Sequence, residues 1–111
     1  MGADEVRTAA HAEVTGYWAS AARHPWWCLD PAFADLALTS MARGRYALAT
    51  GDLLTKSEAV EQAAAPAWLV DHLRRRRQGE QVRSPRLRTA LVAWRDLRRT
   101  VAAARRSRRV T

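Results

Sequence analysis

The sequence has a single cysteine, Cys28, so no disulfide can close within the chain, which fits a reducing compartment. No apolar run approaches the roughly 18 residues that a membrane span needs. The N-terminus lacks the charged-then-apolar layout of a signal peptide, so the expected location is the cytoplasm and no membrane partner is expected. Strand-like alternation, internal repeats and long Gly, Ser or Pro linkers are all missing, which leaves helices as the only regular element. There is no P-loop, no His-Glu-x-x-His and no Cys-x-x-Cys. Gly-Ser and Asp-x-Asp are absent too, and His11, His24 and His72 show no metal-ligand spacing. No catalytic residue and no metal site is assigned.

What is present is one domain of 111 residues, 48% hydrophobic with five tryptophans, enough for a single core. The charge is uneven. Residues 1–73 carry five basic groups against nine acidic ones, a net −4, whereas residues 74–111 carry fourteen arginines against Glu80 and Asp96, a net +12. The total of +8 therefore averages a mildly acidic body and a strongly basic last third. Lys56 is the only lysine.

Periodicity predicts about five helices in an all-α bundle, a single domain over residues 1–111 with a basic tail from about 105. In the first, residues 3–22, the apolar face is Val6, Ala10, Val14, Tyr17, Trp18 and Ala21, and His24-Pro25 ends it. Asp30 and Pro31 cap and open the second, with Leu36, Leu38, Met41, Tyr46 and Leu48 on its apolar side and Gly51 closing it in a left-handed turn. Thr55-Lys56-Ser57-Glu58 reads as a capping box for the third. Pro66 opens the fourth, which Gly79 closes. Ser84 and Pro85 start the last, whose stripe is Leu87, Leu91, Trp94, Leu97, Val101 and Ala104.

The stretch Arg43, Tyr46, Ala49-Thr50-Gly51, Leu53-Leu54, Thr55-Lys56 and the alanine-rich helix to Ala64 resembles the C-terminal helical domain of aminoglycoside adenylyltransferases, the streptomycin/spectinomycin type. Flanking matches at Gly16-Tyr17-Trp18, Pro66 and Gly79 extend the resemblance over roughly residues 10 to 105, with the central string its specific part. The resemblance implies the substrate-binding half of an enzyme that moves AMP from ATP to a drug hydroxyl. The family's Gly-Ser turn and Asp-x-Asp pair belong to a separate catalytic domain, so the chain alone is expected to be inactive. ATP and Mg²⁺ are implied for the complete enzyme, and no cofactor is expected on this chain alone.

Lys56 matches the family's lysine that contacts the nucleotide triphosphate. Asp35 matches an acidic position of the drug site, and Asp30, Trp26 and Trp27 fall in the segment that carries the family's other drug contacts. Carboxylates and aromatic faces suit a cationic aminoglycoside. Local chemistry offers each a plainer role: a helix cap for Asp30, core packing for the tryptophans, a solvated helix start for Lys56. Arg43 is expected in a salt bridge and Tyr46 in the core. The family's nucleotide-contacting tyrosine near the end of the fourth helix is replaced here by the arginines at 74–77. The alternative function is a stand-alone basic helical module whose partner is nucleic acid or a separately encoded nucleotidyltransferase domain.

Overall fold

The alanine-rich start of the chain is helical, but not uniformly. A computed structural model describes residues 2–110, with side chains described through residue 107. Helix α1 is α-helical over Ala3–Glu13, widens to a π-helical turn over Val14–Trp18 and closes with an α-helical turn over Ala19–Ala21. A π turn holds more residues than an α turn, so the inward face shifts. Trp18 is buried and Tyr17, expected inside, is 53% exposed.

Pro25 breaks this helix, and residues Pro25–Leu29 form a 3-10 turn. The Asp30 side chain then accepts from the Ala32 N–H at 3.1 Å, and α2 runs over Pro31–Thr50. Gly51 ends it with φ at 74°, its N–H donating to the Ala47 carbonyl at 2.8 Å. Helix α3, Lys56–Glu61, opens on the expected capping box. The Glu58 N–H donates to Thr55 Oγ1 at 3.1 Å, and the Thr55 N–H donates to Glu58 Oε1 at 2.9 Å. Helix α4 spans Ala67–Arg77 and α5 spans Arg86–Val110, past the position where the basic tail was expected to begin.

The five helices form one all-α bundle, with no strand among the described residues. Helix α2 lies against both α1 and α5. One core cluster joins Val14, Trp18, Met41, Leu97 and Val101; a second joins Cys28, Leu38, Val60, Leu69 and Leu73. Leu38, Met41, Leu69 and Leu97 are fully buried, each contributing roughly 1.5–3 kcal/mol. Tyr46 packs against Ala42, Leu54 and Ala59. No helix among the described residues is long and apolar enough to cross a membrane.

The buried side of α5 differs from the expected stripe at its start. Leu97, Val101 and Ala104 face inward, but Leu87 and Leu91 are 77% and 43% exposed. The small side chains of Ala90 and Ala93 take the inner seats there and let α5 approach the second cluster closely. Leu36 on α2 is likewise exposed while Ala34 and Ala37 are buried. Periodicity favours the larger apolar residue; close helix packing favours alanine.

Candidate functional site

Asp35 sits in the second turn of α2, and Arg76 sits in the last turn of α4. Arg76 Nε meets Asp35 Oδ2 at 2.7 Å, and Arg76 Nη2 meets Oδ1 at 3.0 Å. Both side chains are about three-quarters buried, at 23% and 27% exposed, so the pair is better sheltered than a surface ion pair. Arg76 Nη1 also donates to the Val82 carbonyl and to Ser84 Oγ, each at 2.8 Å. Ser84 Oγ lies 2.9 Å from His72 Nδ1. Ser84, expected to start α5, lies just ahead of it and belongs to this network.

Asp35, Arg76, Val82 and Ser84 border a cleft of about 370 Å³, whose wall also includes Cys28, Pro31, Arg83 and Arg86. Arg86 Nε donates to the Leu29 carbonyl at 2.7 Å, fixing the start of α5 against the 3-10 turn. Burial pushes the Cys28 thiol above its ordinary value, so it stays protonated and acts as wall rather than nucleophile. Asp35 faces three arginines in this cleft. A polycation gains from Asp35 only if it displaces Arg76 or finds further carboxylates on a partner.

The other matched residues lie around this end of the molecule with different engagements. The Asp30 carboxylate is the α2 cap. Trp27 is half-buried, stacks on His24 at 4.4 Å and meets Phe33 edge-on at 5.8 Å. Trp26 is 60% exposed and meets His24 edge-on at 5.2 Å. The Ser20 carbonyl can only accept, so His24 Nδ1 carries a proton in its 2.9 Å bond to that oxygen.

Lys56 is exposed at the first position of α3 and enters no ion pair among the described residues. Beside it, Arg77 Nε donates to Ser57 Oγ at 3.1 Å. Consecutive residues at the end of α4 thus contact both matched regions, Arg76 at Asp35 and Arg77 at the Lys56–Ser57 turn. At six residues α3 is too short for its dipole to hold a phosphate unaided. The groove next to it mixes Glu58 and Glu61 with Arg74 and Arg77. Bonds from the Thr55 backbone and hydroxyl hold the Glu58 carboxyl below its ordinary value. The Arg74 guanidinium does the same for Glu61.

The arginine run at 74–77 is therefore engaged within the fold. Arg74 pairs with Glu61 at 2.7 Å, Arg75 with Glu80 at 3.3 Å and Arg76 with Asp35. Arg43 makes no ion pair among the described residues. Its neighbour Arg45 does: it holds Asp96 Oδ1 on α5 and donates to Thr100 Oγ1 at 2.8 Å. Asp96 is buried, and its Oδ2 has no hydrogen-bond partner among the described residues. Desolvation raises its carboxyl above the ordinary value, and Arg45 offsets only part of this. A lone acid inside an arginine-rich helix was the available signal for this pair. Comparison with family models, with characterised proteins and with solved structures returns no match.

Proposed function

We propose that this chain is the substrate-binding helical half of an aminoglycoside O-adenylyltransferase, with the catalytic nucleotidyltransferase half supplied by another segment or chain. The reaction served is transfer of AMP from ATP to a drug hydroxyl. Asp35 is the drug-binding carboxylate, with Trp26 offering an exposed aromatic face and Trp27 and Asp30 building the turn beneath. Lys56 meets the nucleotide triphosphate as a free ammonium. ATP and Mg²⁺ are handled mainly by the absent half, which also adds the carboxylates that a cationic drug needs.

The observation that carries this proposal is the two-pronged grip of Asp35 on a guanidinium at the wall of a cleft. Streptomycin bears guanidinium groups of the same shape, so its cation can take the place of Arg76. The sequence string around Arg43, Gly51 and Lys56 adds the family resemblance.

Calorimetry with streptomycin and spectinomycin tests the drug site. Weak binding to the isolated chain, reduced about tenfold or more in Asp35→Asn, is expected from the loss of a charge-assisted bond. Unchanged binding in a folded Asp35→Asn variant removes Asp35 from the site. Pyrophosphate release from ATP, Mg²⁺ and drug should stay at background, and robust turnover by the chain alone would falsify the two-half reading.

A further inference from the structure

The middle and C-terminal turns of α5 carry a second feature that shares no residue with the Asp35 cleft. Arg95, Arg98, Arg99, Arg105 and Arg106 line an open groove of about 600 Å³, and Arg23, just beyond the end of α1, closes its other side. No carboxylate lines it among the described residues. None of the six arginines enters an ion pair among the described residues, in contrast to Arg74, Arg75 and Arg76. Asp96 is turned away, buried against Arg45. The floor is small and apolar, with Ala22 and Ala102 leaving the guanidinium groups room to converge.

The groove is also rigidly framed. Trp94 Nε1 donates to the Ala22 carbonyl at 3.2 Å, tying α5 to the end of α1. The Arg98 guanidinium lies over the Trp94 ring at 4.8 Å, which holds it in place and covers that aromatic face. Positions 95, 98, 99, 105 and 106 recur at helical spacing and so form a stripe about 16 Å long at 1.5 Å per residue.

We infer that this groove binds the phosphate backbone of a double-stranded nucleic acid. The proposal is independent of the drug site. A row of unpaired guanidinium groups matches a row of phosphates, and each contact releases a condensed counterion. A single strand would need aromatic platforms for its unstacked bases, and the groove lining has none. An anionic membrane surface would need apolar side chains beside the charges, and the floor offers only alanine and valine. No base edge is read, so binding is without sequence preference.

Fluorescence anisotropy with duplex DNA and duplex RNA of mixed sequence tests this. Six phosphate contacts predict a slope of log K against log salt of about −5 on duplex DNA. Arg95→Glu/Arg105→Glu should weaken binding at least about tenfold and flatten that slope by about two. The control Arg43→Glu/Arg88→Glu changes net charge equally outside both the groove and the Asp35 cleft and should bind nearly as wild type. Circular dichroism establishes that both variants are folded. The DNA and RNA arms tell which duplex supplies the backbone. An equal loss in the control pair, binding of inorganic tripolyphosphate or phosphatidylserine vesicles without any duplex, or no binding at all each overturns the assignment.

Discussion

Arg76 on α4 holds both carboxylate oxygens of Asp35 on α2, at 2.7 and 3.0 Å, across a sequence separation of 41 residues. The same guanidinium reaches the Val82 carbonyl and the Ser84 hydroxyl. One side chain therefore occupies the proposed drug carboxylate and anchors the loop between α4 and α5. Arg76→Gln should separate these roles. Streptomycin binding by calorimetry should tighten about tenfold as Asp35 is released, with a smaller gain for spectinomycin, which lacks guanidinium groups. Limited proteolysis should cut faster within residues 78–85 while helix content stays near wild type. Weaker streptomycin binding would mean that Arg76 itself supports the ligand.

Lys56 is exposed, in no ion pair among the described residues, and in a position that the capping box holds independently. With a matching catalytic half supplied, Lys56→Ala should weaken ATP use by ten- to a hundredfold, the worth of one charge-assisted bond of about 1.5–3 kcal/mol. Drug binding should change little. Thr55 and Glu58 keep the cap and alanine is a strong helix former, so circular dichroism should match wild type. Unchanged ATP use in the folded variant would make Lys56 an ordinary surface lysine.

Arg45 compensates a carboxylate that α5 buries. Arg45→Ala should cost about 1–3 kcal/mol, less than a fully buried pair because Arg45 is 36% exposed. Chemical denaturation measures this directly. A loss below a few tenths of a kcal/mol would show that water reaches Asp96.

The same carboxylate predicts a pH dependence. Burial raises the Asp96 carboxyl in the fold, so the folded state binds its proton more tightly than the unfolded chain. Its contribution is fully present below the unfolded value and is lost as pH rises through the folded one. Relative to Asp96→Asn, the wild type should therefore lose stability as pH climbs above the ordinary carboxylate value of about 4. Thermal melts of both proteins across that range check the sign. A difference that grows in favour of the wild type on raising pH would mean that Arg45 outweighs desolvation.

The helix count, the caps at Asp30 and Thr55 and the glycine stop at Gly51 were legible because each depends on a few neighbouring residues. The partners of charged residues were not. Asp35 and Asp96 each pair with an arginine more than forty positions away, and local sequence carries no information on which arginine arrives. The inner faces of α2 and α5 were read only in part, since alanines displaced Leu36, Leu87 and Leu91 from the core. The π turn in α1 escaped too: Gly16 reads as a weak helical position, not as a change of pitch. Within the basic third, composition revealed the charge but not its division into paired arginines on α4 and unpaired ones on α5.

Gly51 does more than end α2. A Cβ at this position would lie 2.5 Å from the Ala3 Cβ, and φ is already in the left-handed region. Gly51→Ala should cost roughly 2–4 kcal/mol and lower the melting temperature by about 10 °C or more. The contact also sets a point of entry. The start of α1 is held against the turn that precedes Lys56, five residues downstream and so within roughly 18 Å of chain. A polypeptide spliced ahead of Ala3 emerges on the lysine's side of the bundle. Fusing a catalytic half there would need only a short tether to reach Lys56.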